Sequence, residues 1–229
     1  MAPLPPVLVL DLDGTLVDTI DDLVAALNAI LAREGARPAT RERVRAIVGN
    51  GARAMIEAAF AAEQRSLAPN VMEELYAAYL DQYAAHVAER SRPFPGAEAM
   101  LDRFAAAGWR LAICTNKLES LSRALLGALG LADRFAAIAG QDTFAFRKPD
   151  PRHLTETIRL AGGSVGRAVM VGDSITDVDT AIAADIPVIA VDFGYSSLPA
   201  AELGATRVIA RLDQLWDAVA SLKRAAASP

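Results

Sequence analysis

The run Val7-Leu8-Val9-Leu10, followed by Asp11-Leu12-Asp13-Gly14-Thr15, constrains this chain more than any other stretch. Four consecutive apolar residues leave no polar face, which is the pattern of a strand covered on both sides in a parallel sheet. The run stops at Asp11, Asp13 follows two residues later, and Gly14 lets the backbone turn. Two carboxylates are thereby placed at the carboxyl end of a buried strand, the edge at which open α/β sheets bind ligands. An isolated Asp-x-Asp-Gly is more often an ordinary turn than a catalytic site. A calcium-binding EF-hand loop does not fit, because such loops follow a helix and carry their glycine at the sixth position.

The sequence from residue 20 to 92 reads as helical. Thr19 or Asp21 can cap a helix running to about Glu34, with Leu23, Leu27, Ile30 and Leu31 at helical spacing. Thr40 opens a second helix, Gly49-Asn50-Gly51 interrupts it, and a third holds Met55, Ile56 and Phe60. A fourth covers roughly 70–89, with Leu75, Tyr79, Leu80 and Tyr83 facing inward. Arg92-Pro93-Phe94-Pro95-Gly96 reads as a rigid linker at a domain boundary. From there strands and helices alternate: helix 97–107, strand 110–115, helix 118–129, strand 136–139, helix 151–160, strand 168–171, helix 175–184, strand 188–191, a short strand at 208–209 and helix 212–224. Residues 225–229 read as a frayed tail. Such alternation predicts right-handed βαβ units, a parallel sheet and helices on both faces. An α/β core of residues 1–17 and 93–229 is therefore expected to carry a helical insertion, 18–92, that leaves the sheet beside Asp11 and Asp13.

Three further strand ends carry polar residues. Thr115-Asn116 follows the strand at 110–115; Asn116 can cap the next helix, or the pair can clamp phosphate oxygens with nearby amides. Lys148-Pro149 precedes the helix that begins at Pro151. Only Lys117, Lys148 and Lys223 are lysines in a chain otherwise rich in arginine, and a compact ammonium suits a crowded anionic site. Gly172-Asp173-Ser174-Ile175-Thr176-Asp177 ends the strand at 168–171, with two carboxylates four residues apart on one side of a helix start. Two unit charges 4 Å apart repel by about 4 kcal/mol at an effective dielectric near 20. Asp11, Asp13, Asp173 and Asp177 in one crevice therefore require a cation, and hard oxygen ligands select Mg²⁺.

These motifs, in this order and over nearly the whole chain, resemble the haloacid dehalogenase superfamily of phosphohydrolases. The insertion is similar to that superfamily's α-helical cap. Residues 11–19, Val48-Gly-Asn-Gly-Ala-Arg53 and Phe193-Gly-Tyr-Ser196 most resemble phosphoglycolate phosphatases, the last departing from the more usual Gly-Tyr-Asn. The resemblance implies a Rossmann-like core and a Mg²⁺-dependent phosphatase. It implies Asp11 as nucleophile forming an aspartyl-phosphate, Asp13 as general acid then base, Thr115 holding the phosphoryl group, and Lys148 neutralising it. It implies Mg²⁺ held by Asp11, the Asp13 carbonyl and Asp173, with Asp177 acting directly or through water. Asp13 argues against dehalogenation, since a halide leaves without needing a proton.

In the insertion, Gly49-Asn50-Gly51 at a helix start, with Arg53 adding a charge, is a candidate anion site for a distal carboxylate, with Asn116 a further substrate contact; a simple turn is the plain alternative. Arg33, Arg41 and Arg45 read as solvated, His86 and His153 as surface residues, and Cys114 as a small buried hydrophobe. The expected substrate is a small phosphorylated metabolite, with 2-phosphoglycolate first. A sugar-phosphate mutase, a broad sugar or nucleotide phosphatase, and a phosphorylated signalling or binding scaffold stand as alternatives. Net charge −5 without a basic block argues against nucleic acid. The single cysteine and the absence of a signal-like N-terminus or long apolar run point to a cytoplasmic protein, monomer or homodimer, off the membrane.

Overall fold

A computed structural model describes residues 3–225. Its centre is a six-stranded parallel sheet built from β1 (Val7–Leu10), β4 (Arg110–Cys114), β5 (Ala137–Ala139), β6 (Ala168–Gly172), β7 (Val188–Val191) and β8 (Arg207–Ile209). The strand order is β5-β4-β1-β6-β7-β8, so β1 lies between β4 and β6 and the chain reverses its direction of progress there. Leu10 is in register with Ile113 and Val171, which brings Asp11, Thr115 and Asp173 to one edge of the sheet.

Alternation along the strands separates two apolar layers. Leu8, Leu10, Leu111, Ile113, Val169 and Val171 face α5 (Ala97–Ala106), α6 (Glu119–Ala128) and α9 (Leu215–Ala225). Val7, Val9, Ala112, Cys114, Met170 and Ala190 face α7 (Pro151–Leu160) and α8 (Ile175–Ala183). Smaller side chains on the second face let its helices approach closely. This doubly covered parallel sheet is the architecture the alternating strands and helices predicted. The short final strand and the last helix are both present, the latter entered through a 3₁₀ turn at Leu212–Gln214. The frayed tail expected at 225–229 lies, from residue 226 on, outside the described residues.

Between β1 and β4 lie α1 (Ile20–Arg33), α2 (Arg41–Arg45), α3 (Ala52–Ala61) and α4 (Pro69–Ala85). They share a hydrophobic cluster of their own, including Leu27, Ile30, Val44, Ile56, Phe60, Tyr79 and Tyr83, joined by Leu121 and Tyr195 from the sheet-bearing part. Thr40 caps α2 by accepting from the Arg43 N–H. α4 ends at Ala85, four residues before the expected end near Glu89. The return path is held instead by the buried Asp22 carboxylate, which accepts from the N–H groups of Arg90 and Ser91 and from the Ser91 hydroxyl.

No strand is expected where the insertion begins and ends, yet β2 (Val17–Asp18) and β3 (Arg92–Pro93) pair antiparallel where the chain leaves and re-enters. Arg92–Pro93 is thus half of a ribbon rather than only a linker. Two-residue strands carry no alternation to read, and their partners are far apart in sequence. Among the described residues no helix is long and apolar enough to cross a membrane.

Candidate active site

The turn after β1 sets the first two carboxylates. The Asp11 N–H donates to the Val171 carbonyl, continuing the sheet ladder by one residue, and Val17 N–H returns to the Leu12 carbonyl. Gly14 sits at φ +85°, and a Cβ there would lie 2.7 Å from Asp173 Oδ2. Glycine is required by both its backbone and its neighbour. Gly194 is required by crowding alone, since a Cβ would come 2.1 Å from that of Asp173.

Lys148 bridges the site from beneath. Its Nζ lies 3.0 Å from Asp11 Oδ1 and 2.5 Å from Asp177 Oδ1, all three side chains being buried. Asp177 has both oxygens engaged, because its Oδ2 accepts from the Asp173 and Ser174 N–H groups and from the Ser174 hydroxyl. It forms a capping box at the start of α8 and orients Lys148 at the same time. Asp173 accepts from the Thr15 hydroxyl at 2.8 Å and from the Tyr195 N–H at 2.7 Å. Asp11, Asp173 and Asp177 each offer an oxygen within 4.8 Å of the others. Burial, with the Lys148 ammonium opposing it and Asp177 adding to it, pushes the Asp11 carboxyl up to about 6. Burial and repulsion from Asp177 and Asp11 push Asp173 to about 8. Three buried carboxylates against one ammonium form a donor set that is under-compensated and all oxygen, which fits a hard divalent cation.

Asp13 stands higher in the crevice. It accepts from the Thr19 hydroxyl at 2.7 Å and is held by Lys117 Nζ at 3.0 and 3.1 Å. Lys117 is nearly buried and lies 4.2 Å from the centre of the Tyr83 ring. Sequence reasoning did not place it in the site; the scarcity of lysine was the available signal. Thr115 lines the same cavity, its hydroxyl accepting from the Lys117 N–H.

Several expectations are corrected. Asn116 caps no helix; Asp142 takes the Glu119 N–H at the start of α6. Asn116 lines the cavity, as expected of a substrate contact, and its amide donates to the carbonyls of Lys148 at 3.1 Å and Gly49 at 3.4 Å, joining the lysine loop to the insertion. Of the proposed anion site, Gly49 and Gly51 line the cavity. Asn50 is exposed, and Arg53 is drawn away by two 2.6 Å bonds to Glu73 on α4 and by the face of Tyr76. Arg45 is not simply solvated, since it donates to the Gly194 carbonyl. Arg41 pairs with Asp18 and Asp21 in an exposed cluster. The Tyr195 hydroxyl, also missed, accepts from the Thr19 and Ile20 N–H groups at the start of α1 and donates to Asp18. Thr19 marks that start without capping it, its hydroxyl being committed to Asp13.

His86 is exposed as expected, but His153 is fully buried. Its Nδ1 accepts from the Lys148 N–H and faces the Cys114 sulfur at 3.6 Å, while its Nε2–H donates to the Gly140 carbonyl. Burial, aided by the Lys148 ammonium, lowers its pKa from 6.5 to about 4, and burial pushes the Cys114 thiol up to about 12. A base whose folded pKa is depressed contributes stability above its unfolded pKa and loses it on acidification. About 3 kcal/mol should therefore disappear as the pH falls from 6.5 towards 4. His153→Gln should flatten this part of the urea-unfolding profile. Parallel profiles for the two proteins would contradict the assignment.

Comparison with known proteins places these features in context. Residues 8–191 match the model of the haloacid dehalogenase-like hydrolase family. A phosphoglycolate phosphatase of Mesorhizobium japonicum is 55% identical over 210 residues, covering 92% of this chain and 92% of that protein. A phosphoglycolate phosphatase of Agrobacterium fabrum is 49% identical over 201 residues, covering 88% and 86%. The crystal structure of a predicted phosphoglycolate phosphatase from Haemophilus somnus superposes with a TM-score of 0.87 at 24% identity, covering 93% of this chain and 97% of that one.

Proposed function

The chain belongs to the haloacid dehalogenase-like hydrolase family, and from that premise we propose that it is a Mg²⁺-dependent phosphatase that hydrolyses 2-phosphoglycolate through an aspartyl-phosphate. The observation that carries the reading is Asp11, buried at the end of the central strand, against Lys148 and within reach of Asp173 and Asp177. The names of the similar proteins support the choice of substrate.

Asp11 is the nucleophile. Lys148, fixed by Asp177 on one side and by the chain around His153 on the other, holds the Asp11 carboxylate in place and balances charge on the phosphoryl oxygens. Asp13 donates a proton to the leaving alkoxide and then takes one from the water that attacks the acyl-phosphate. Thr19 and Lys117 fix the orientation of its carboxylate. The Thr115 hydroxyl and neighbouring amides cradle the phosphoryl group. Asp11, the Asp13 carbonyl and Asp173 would hold Mg²⁺, with Asp177 behind them. When bound, the ion supplies the positive charge that the three carboxylates and a phosphate require.

In this reading residues 18–92 form a cap over a core of 1–17 and 93–229, hinged at the β2–β3 ribbon, in a cytoplasmic enzyme. Arg45, Asn116 and Tyr195 supply polar contacts between the two parts. Phosphate release should be measured from 2-phosphoglycolate, sugar phosphates, nucleotides and aryl phosphates, with Mg²⁺ and with a chelator. Release that favours 2-phosphoglycolate and vanishes with chelator is the expected result. An even spread over the panel would discard the substrate, and isomerised sugar phosphate without free phosphate would replace the reading with a mutase.

A further inference from the structure

The proposed substrate ends in a carboxylate, and neither Asn50 nor Arg53 lines the cavity to receive it. A different set of groups does. Tyr79 and Tyr83 are one turn apart on α4, both 1% exposed, with rings stacked 6.2 Å apart at an interplanar angle of 4°. Both residues line the crevice that also holds Asp11, Asp13, Thr115 and Lys117. Among the described residues, neither hydroxyl has a hydrogen-bond partner.

Buried hydroxyls without partners are costly, and packing gives no reason for them. Phenylalanine at either position would fill the same space in the cluster of Leu23, Leu27 and Met55. Burial drives both phenols far above their ordinary pKa, so each remains an O–H donor. Lys117 completes the group, with its ammonium against the Tyr83 face. Its contact with Asp13 at 3.0 Å sets the spacing. If Asp13 protonates the bridging oxygen, a carboxylate one carbon beyond that oxygen falls beside Lys117.

We propose that Tyr79, Tyr83 and Lys117 form the subsite for the carboxylate of the substrate. The inference rests on the reading of the chain as a phosphatase for a small phosphorylated acid. Two neutral donors and one ammonium in a largely apolar crevice match one carboxylate, and leave a phosphate ester lacking the acid with unpaired groups. A site built to hydrogen-bond a substrate group discriminates strongly against analogues without it.

The test compares kcat/KM for 2-phosphoglycolate and ethyl phosphate in wild type, Tyr79→Phe, Tyr83→Phe and the double variant, at saturating Mg²⁺, with thermal unfolding as a check on folding. Wild type should prefer the acid. Each single variant should cut that preference by about tenfold to a hundredfold, and the double variant by more. If wild type shows the preference and the Phe variants keep it undiminished, the subsite is wrong while the proposed function stands. If wild type shows no preference for the acid, the function proposed above fails, and the subsite with it.

Discussion

Asp11→Asn should release phosphate on the order of 10⁴-fold or more slowly than wild type while remaining folded. Asparagine keeps the shape of the side chain but offers no carboxylate to attack phosphorus. The fold should not suffer, because the change removes a charge that burial already disfavours. The Asp11 carboxyl is pushed up to about 6 in its present surroundings. Thermal unfolding of the metal-free variant should match or exceed wild type, and phosphate release should be lost at every Mg²⁺ concentration. Turnover within tenfold of wild type would exclude Asp11 as the nucleophile.

Lys148→Met should lose both activity and stability. Methionine fills most of the same volume but leaves Asp11 and Asp177 facing each other without the ammonium 3.0 and 2.5 Å away. Breaking a buried ion pair by removing one partner typically costs about 3–5 kcal/mol, because a charge is left buried and uncompensated. The Lys148 pKa is itself raised well above the ordinary lysine range, Asp11 and Asp177 outweighing its burial. Urea unfolding of the metal-free protein at neutral pH should show the deficit. Lowering the pH should shrink it, because protonation of Asp11 relieves the repulsion. Lys148→Arg should not restore turnover, since a planar fork cannot occupy a position shaped for a compact ammonium. Near-normal stability and activity of Lys148→Met would show that the lysine is a bystander.

The parts legible in the sequence are those written locally. Val7–Leu10 announces a buried strand by having no polar face, and Asp11, Thr115 and Asp173 are each the first polar residues after such a run. Parallel strands in register must bring those ends together, so the core of the site follows from pattern and topology. Lys148 was recognisable through its rarity and its adjacent proline.

What escaped depends on partners remote in sequence. The Tyr195 hydroxyl meets the Thr19 N–H across 176 positions, and Lys117 meets Asp13 across 104. Periodicity carries no information about either. His153 looks like an exposed helix residue until the Lys148 N–H and the Gly140 carbonyl are seen on either side of its ring. Arg53 failed for the converse reason. A cation near a helix start suggests an anion site, but Glu73 on the neighbouring helix was the stronger and closer acceptor. Helical spacing turns Tyr79 and Tyr83 inward, yet it carries no information about their hydroxyls, which lack partners among the described residues.

The most direct measurement of the central claim is acid quenching of a single turnover of 2-phosphoglycolate with Mg²⁺, followed by peptide mass spectrometry. One added phosphoryl group is expected on the peptide containing Asp11, appearing and decaying at rates compatible with turnover, and absent from Asp11→Asn. Turnover with no covalent adduct, or an adduct on another residue, would contradict it.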